Sequence, residues 1–263
     1  MDSEQIIYLI AYIIIYSFFG WILESVYKSI YNKQLVNSGF LIGPICPIYG
    51  FGAAIMYLFL DQFKNNIFIL FIAGVIILSM WEYIVGVILE KLFKTKYWDY
   101  SSCKFNIHGR ICLRTSIIWG ILGVIFTLIL HPIITEFVKE LPIEMLIHLE
   151  IFLVIVIIID ALVSVNKVTN INIRIDKLVD VTDAIKAKMD ELKLLTGKAN
   201  EKSRESISLI IEELKQKQDS LKASVIKKTT RLRLAFPSMK LEKISKLLNK
   251  KIDILEILKN DKK

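Results

Sequence analysis

Long, nearly uninterrupted runs of apolar residues occupy most of the first 165 positions of the chain. A helix needs about 20 mainly apolar residues to cross about 30 Å of hydrocarbon. Five runs approach that length, so the pattern predicts five transmembrane helices. They cover residues 5–27, 41–60, 67–93, 111–138 and 143–165.

After Val165 the apolar positions follow a heptad pattern, alternating steps of four and three residues. The seam positions are Ile171, Ile175, Leu178, Thr182, Ile185, Met189, Leu192, Thr196 and Ala199. No Pro or Gly separates the seam from the fifth run, which predicts one long helix that continues beyond the membrane. Self-association through the seam is favoured, and packing in the same chain against residues 207–221 is the alternative. Beyond Pro237 a last amphipathic helix is predicted, with Leu241, Ile244, Leu248, Ile252 and Leu255 on its apolar face.

Composition divides the chain in the same place as the apolar pattern. The sequence is 54% hydrophobic with a mean hydropathy of +0.51. Residues 1–164 carry 10 Lys and Arg against 12 Asp and Glu, whereas residues 165–263 carry 24 against 14. We therefore expect a transmembrane domain at 1–165 and a basic coiled-coil tail at 166–263. This excludes a soluble enzyme, a secreted disulfide scaffold and a disordered protein.

The distribution of Lys and Arg predicts the orientation. Eight of them lie in the connections that follow the first and third runs, and two lie on the opposite side. By the positive-inside rule, the N-terminus is expected outside and the tail in the cytoplasm. The acidic N-terminus lacks the features of a cleaved signal peptide, so we expect the first run to be retained as a span.

Helix-breaking residues interrupt the start of the second run, at Gly43, Pro44, Pro47 and Gly50. Unwound backbone at membrane depth is tolerated where it lines a cavity, and there it can meet a polar substrate. The alternative is a kinked helix start whose glycines permit close packing. The pattern alone leaves both open.

Ionisable residues inside apolar runs are costly and need partners. The spacing of these residues, together with the predicted orientation, places them near one level on the cytoplasmic side. We expect a single polar cluster, which is either a structural network or part of a substrate or proton path. Its members are Glu24, Glu82, Glu90, Asp160, Arg110 and Arg114.

Motifs for catalysis, cofactors or metals are not evident. The sequence contains no P-loop, dinucleotide fingerprint or nucleophile elbow. His108, His131 and His148 have no ligands at metal-site spacing, and the three cysteines are scattered without a CxxC. We therefore expect no catalytic residue, cofactor or metal.

A basic cluster near the end of the tail surrounds Ala235 and Phe236. It consists of Lys227, Lys228, Arg231, Arg233 and Lys240. Attachment to the anionic inner leaflet is one interpretation, and a solvated charged face is the other. Nucleic-acid binding is disfavoured because acids are interleaved with the positive charges.

Five blocks of the membrane half resemble one family of bacterial membrane proteins, the CmpB-like ABC-transporter type IV permeases. The blocks are GPICPIYGFG from Gly43, WEYIVGVILEKLF from Trp81, YWDYS from Tyr97, NIHGRICL from Asn106 and WG at Trp119. RLRLAFPSMK, from Arg231, resembles the tail of longer members. The resemblance implies a polytopic permease in the bacterial plasma membrane. The absence of a nucleotide-binding motif implies a separate ATPase subunit.

The sequence therefore predicts an all-α polytopic bundle with a helical tail, acting as a permease-like subunit among membrane lipids. Homo-oligomerisation through the coiled coil is expected. The first alternative is a non-transporting scaffold or sensor that assembles through the tail. An intramembrane enzyme using Glu82, Arg110 or His108 is a third, disfavoured class, because no known catalytic spacing is present.

Overall fold

The structure, a computed structural model, describes residues 2–194 and 201–241. It is almost entirely helical, which confirms the predicted all-α class. The helices are α1 (Ser3–Asn32), α2 (Pro47–Leu60), α3 (Ile67–Phe93), α4 (Leu113–Ile125), α5 (His131–Lys139), α6 (Ile143–Leu194) and α7 (Glu201–Ala235). A 3-10 turn covers Asp61–Phe63 and a π-helical segment covers Phe126–Leu130. The strands are two residues each: β1 (Thr95–Lys96), β2 (Asn106–Ile107), β3 (Ile111–Cys112) and β4 (Lys240–Leu241).

Four helical stretches in the described residues are long and apolar enough to cross a membrane. They are Ser3–Asn32, Ile67–Phe93, Leu113–Lys139 and Ile143–Leu192. The predicted second run is helical only from Pro47, so the interruption predicted at its start is present. The 14 residues of α2 extend about 21 Å at 1.5 Å per residue, which is short of the ~30 Å hydrocarbon layer.

The segment that precedes α2, residues 33–46, runs antiparallel beside the second half of α1. Val36 N donates to Ser29 Oγ at 2.9 Å, and Ser38 N donates to Ser25 Oγ at 3.1 Å. Cys46 N then donates to the main-chain oxygen of Ser17 at 3.0 Å. Polar groups of α1 thus satisfy backbone donors that a helix would satisfy internally. As a result, α2 begins beside the middle of α1.

The fourth predicted span contains a local change of helical geometry. Pro132 cannot donate the usual hydrogen bond and crowds the preceding turn. The π-helical segment ends at Leu130, two residues before Pro132, and lies between α4 and α5. A π segment of this kind accommodates a residue that breaks the regular ladder, so the run continues as one helical stretch of 27 residues.

Small residues allow the helices to approach closely. A Cβ on Gly50 of α2 would overlap Ser17 Oγ and the main-chain oxygen of Ile13. A Cβ on Gly120 of α4 would lie 2.5 Å from Val75 Cγ2 of α3. Close packing through glycine is a common means of helix association in membranes, where the hydrophobic effect contributes little between helices.

The chain forms two compact units. The first contains Met1–Val165 together with Arg231–Met239, and the second includes Asn166–Thr230. The core of the first unit includes Tyr12, Tyr16 and Leu60, packed with residues of α3 and the π-helical segment. The sequence had assigned 231–239 to the tail, whereas the structure packs this short segment within the first unit.

In the second unit, α6 and α7 pair as an antiparallel hairpin. Arg174 Nη1 donates to Ser224 Oγ at 3.0 Å, and Gln218 Nε2 donates to Thr182 Oγ1 at 2.8 Å. The seam is buried within this single chain at Ile171, Ile175, Leu178, Thr182 and Ile185. The predicted long helix is present, and these five seam positions are buried as in the same-chain alternative, whereas Met189 is exposed. Self-association through the seam stays a prediction. Thr196, Ala199 and the predicted last helix beyond Leu241 lie outside the described residues.

Candidate functional site

A cavity of about 600 Å³ lies inside the first unit, bounded by α1, α2, α3, α4, the connection after α3 and residues 236–238. Aromatic side chains make up nine of its 23 lining residues, and Glu24, Lys28 and Glu82 are its charged ones. The aromatic residues are Phe40, Tyr49, Phe51, Trp81, Tyr97, Trp98, Tyr100, Trp119 and Phe236. Its size falls in the range of small-molecule sites, about 300–1,000 Å³.

Glu82 is buried at the cavity wall, with 6% of its surface exposed. Tyr100 Oη donates to its Oε1 at 3.1 Å, and Trp119 Nε1 donates to its Oε2 at 3.0 Å. Burial, followed by the Glu82 carboxylate, raises the pKa of Tyr100 well above its ordinary value, so the phenol remains a donor. Within the described part of the chain no Lys or Arg forms an ion pair with Glu82. Two neutral donors therefore hold this carboxylate, and the arginine of the predicted cluster that pairs with an acid, Arg110, pairs with Glu90.

Glu24 and Lys28 form a second polar group in the wall, one turn apart on α1. Lys28 Nζ lies 2.5 Å from Glu24 Oε1 and donates to Ser38 Oγ at 3.0 Å. It also donates to the main-chain oxygen of Ala235. An ammonium has three donors, and these three acceptors use all of them.

Hydrogen bonds to the protein fix all three tryptophans of the cavity. Trp81 Nε1 donates to the oxygen of Ile48 at 3.0 Å, and Trp98 Nε1 donates to the oxygen of Arg110 at 2.9 Å. Trp119 is fixed by Glu82. Because each indole N–H already donates to a protein acceptor, the tryptophans can contact a ligand only through their rings.

The interrupted segment before α2 is held from two sides. Asp160 of α6 accepts from Ile42 N at 3.1 Å and from Gly43 N at 2.7 Å. The guanidinium of Arg231 donates to three successive main-chain oxygens in the same segment. These bonds reach Gly39 at 3.2 Å, Phe40 at 2.9 Å and Leu41 at 2.8 Å. Asp160 and Arg231 therefore satisfy backbone groups on both sides of one turn.

The remaining predicted charges lie apart from the cavity lining. Arg110 Nη2 lies 2.6 Å from Glu90 Oε2, and its guanidinium carbon lies 5.4 Å from the centre of the Tyr83 ring. The side chain of Arg114 is exposed. Five of the six residues expected in one cluster are thus divided among separate groups at Glu82, at Glu24, at Asp160 and at Glu90–Arg110, and exposed Arg114 belongs to none of them.

The predicted broken-helix residues occupy the junction between the extended segment and α2. Gly43 and Pro44 lie in the non-helical part, and Pro47 is the first residue of α2 and lines the cavity. Gly50 lies inside α2 against α1. This junction therefore combines non-helical backbone, held by Asp160 and Arg231, with close packing.

Residues 236–238 contribute to the cavity wall, which sequence reasoning missed. Phe236 packs edge-on against Tyr97 at 4.9 Å between ring centres, and Lys28 Nζ lies 4.9 Å from the centre of the Phe236 ring. Asp99 N donates to Ser238 Oγ at 3.3 Å. The only signal in the sequence was the RLRLAFPSMK block, which carried a family resemblance without a contact.

One further intramembrane acid was also missed. Glu150 of α6 is 6% exposed, and its Oε1 has no hydrogen-bond partner among the residues that the structure describes. It lies in the fifth apolar run, where it could have been recognised by its charge. Over the same residues, no group of three or more His, Cys, Asp or Glu side chains is placed to hold a metal ion.

These features define a polytopic, helical membrane protein whose helices enclose an aromatic cavity beside an interrupted span. The family model described as "Putative ABC-transporter type IV" matches residues 11–165, more than half of the chain, and the chain belongs to this family. No curated protein and no solved structure matches the chain. The family makes it a transporter-related membrane protein.

Proposed function

We propose that the protein is the permease-like subunit of an ABC-type transporter and that its substrate occupies the aromatic cavity. The observation that carries this proposal is the buried Glu82 carboxylate at the wall of a ligand-sized cavity beside interrupted backbone. Intramembrane charges that line a cavity are typical of substrate paths. Broken helices are typical of transporter binding sites.

The cavity is proposed to open toward the cytoplasm. Lys28 lines it, and Lys33, Lys94 and Lys96 follow the same ends of α1 and α3. The positive-inside rule assigns this end to the cytoplasm, with the N-terminus outside and the membrane being the plasma membrane.

Energy for transport is proposed to come from a separate ATPase subunit. The 263-residue sequence has no P-loop that could bind nucleotide phosphates. The membrane unit would then supply the substrate path, and the partner would supply hydrolysis.

The scaffold or sensor hypothesis has less support. It depended on an apolar seam left open for a partner chain, and Ile175, Leu178 and Ile185 are buried within one chain. Self-association through the coiled coil stays a proposal.

The test is purification of the full-length protein in mild detergent, with identification of bound proteins and measurement of ATPase activity. Single cysteines at Val85, which lines the cavity, and at Ile84, its exposed neighbour on α3, are each reacted with a bulky maleimide. We expect an ATPase to co-purify and its activity to fall several-fold only when Val85→Cys is modified. Absence of a nucleotide-binding partner, or equal effects at both positions, would contradict the proposal.

A further inference from the structure

The charged groups of the cavity leave one negative charge without a cation. Lys28 neutralises Glu24 through their 2.5 Å contact, whereas Glu82 is held by two neutral donors. Each Glu82 oxygen accepts one hydrogen bond, and an ionised carboxylate has about four acceptor positions. The buried carboxylate can therefore accept further bonds from a positively charged ligand.

Anionic ligands find no free N–H donor in this cavity. Its side-chain N–H groups belong to Lys28, Trp81, Trp98 and Trp119. All three protons of the lysine are used by Glu24, Ser38 and the oxygen of Ala235. Each indole proton is used by a protein acceptor. Binding an anion through these groups would require their bonds to be broken, which is costly for buried donors. The Tyr97 hydroxyl has no partner among the described residues, but it is a neutral donor and supplies no positive charge for an anion.

Aromatic rings supply the remaining surface that a cation needs. The faces of Trp, Tyr and Phe attract ammonium groups through the ring quadrupole, and Trp is the strongest of the three. The cavity already contains one such contact, between Lys28 and Phe236 at 4.9 Å. Aliphatic and aromatic lining also suits the apolar body of an organic molecule.

We propose that the cavity binds an organic monocation, with its ammonium group beside Glu82 and its apolar part against the aromatic rings. This inference rests on the proposed function, in which the cavity is the substrate site. It adds the chemical class of the substrate. A single positive charge matches the single uncompensated carboxylate.

The test uses the full-length protein in nanodiscs of phosphatidylcholine, a lipid without net charge. Three probes of similar size are compared by equilibrium dialysis: benzylammonium, benzyl alcohol and benzylsulfonate. Tryptophan emission gives a second readout, since three of the four tryptophans line the cavity. We expect the cation to bind at least tenfold more tightly than either of the other probes.

Two variants test whether the Glu82 carboxylate is the group that binds the cation. Glu82→Gln should weaken binding of the cation at least tenfold, whereas Glu90→Gln, on the same helix but outside the cavity lining, should leave it unchanged. Thermal unfolding shows whether each variant is folded. If Glu82→Gln does not fold, the comparison of the three probes on the unmodified protein still tests whether the cavity prefers a cation.

The outcomes separate the two proposals. Equal or tighter binding of the neutral or anionic probe would overturn the cation class and leave the cavity as a binding site. Unchanged binding of the cation in folded Glu82→Gln would also overturn it. If no probe binds while modification of Val85→Cys still inhibits a co-purified ATPase, the cation class is overturned and the permease proposal stands.

Discussion

Arg231 donates a 2.8 Å hydrogen bond to the main-chain oxygen of Leu41, 190 residues earlier in the sequence. The same guanidinium also bonds the oxygens of Gly39 and Phe40. A non-helical segment inside a membrane protein cannot satisfy these oxygens by itself, so a donor must come from elsewhere in the chain. The end of α7 supplies that donor.

Replacing Arg231 with Met should destabilise the protein, because three main-chain oxygens lose a charged donor. We expect a loss of about 2–4 kcal/mol, given about 1–3 kcal/mol for each buried group left unsatisfied and partial relaxation of the segment. Thermal unfolding of the full-length protein in detergent measures it.

Lys228→Met is the matched control, because Lys228 belongs to the same basic cluster but is exposed. Its unfolding temperature should match that of the unmodified protein. Equal effects of the two substitutions would mean that general charge, and not the bonds to residues 39–41, accounts for the stability.

The pairing of charges on α3 predicts which substitutions are coupled. Glu90 lies 2.6 Å from Arg110, whereas Glu82 bonds Tyr100 and Trp119. In a double-mutant cycle that measures the free energy of unfolding, Glu90→Gln and Arg110→Gln should show a coupling of about 0.5–1 kcal/mol, because the pair is partly exposed.

Glu82→Gln combined with Arg110→Gln serves as the comparison cycle. These two substitutions should be additive within about 0.5 kcal/mol, since they share no partner. Strong coupling of Glu82 with Arg110 would instead restore the single ionic cluster that the sequence predicted.

Two glycines of α2 should respond differently to alanine. Gly50→Ala places a methyl group into Ser17 and the backbone of Ile13, so α1 and α2 must separate. We expect a loss of about 2 kcal/mol or more, as for other overpacked sites. At Gly52 a Cβ would lie 3.5 Å from Trp81, an ordinary contact, and Gly52→Ala should be neutral or stabilising by up to about 1 kcal/mol. Similar unfolding temperatures for both variants would contradict the packing of α2 against α1.

Hydropathy predicted the helical class, since uninterrupted runs such as 67–93 carry their own signal. The Gly and Pro residues near Pro47 likewise indicated where regular helix is interrupted. Glu24 and Glu82 could be chosen because a charge in an apolar run stands out. Each of these inferences depends on local sequence alone.

Partners distant in sequence could not be predicted. The bonds from Ile42 and Gly43 to Asp160 span more than 100 residues, and no periodicity links them. In the sequence, Arg231 is one of several basic residues of the tail. Only its hydrogen bonds to residues 39–41 distinguish it from exposed Lys228. The seam of α6 indicated an apolar partner without specifying whether that partner lies in the same chain.

The hairpin of α6 and α7 predicts crosslinking within one chain. In a cysteine-free background, Arg174→Cys and Ser224→Cys should react together with a short bismaleimide, because the native side chains are hydrogen-bonded. The product should keep the mass of one chain on a denaturing gel. Arg174→Cys with Ser208→Cys is the control, since Ser208 lies about 24 Å from Ser224 along α7 at 1.5 Å per residue. A product of twice the mass for the first pair would favour the seam pairing between chains.

The most direct test of the substrate cavity is its accessibility to water from the cytoplasmic side. Single cysteines at Val85, in the cavity lining, and at Ile84, exposed on the outer face of α3, are compared in inverted vesicles with an impermeant maleimide. The account predicts rapid labelling of Val85→Cys and slow labelling of Ile84→Cys, because one side chain faces a water-filled cavity and the other faces lipid. Equal labelling of the two positions, or labelling of Val85→Cys only in right-side-out vesicles, would contradict it.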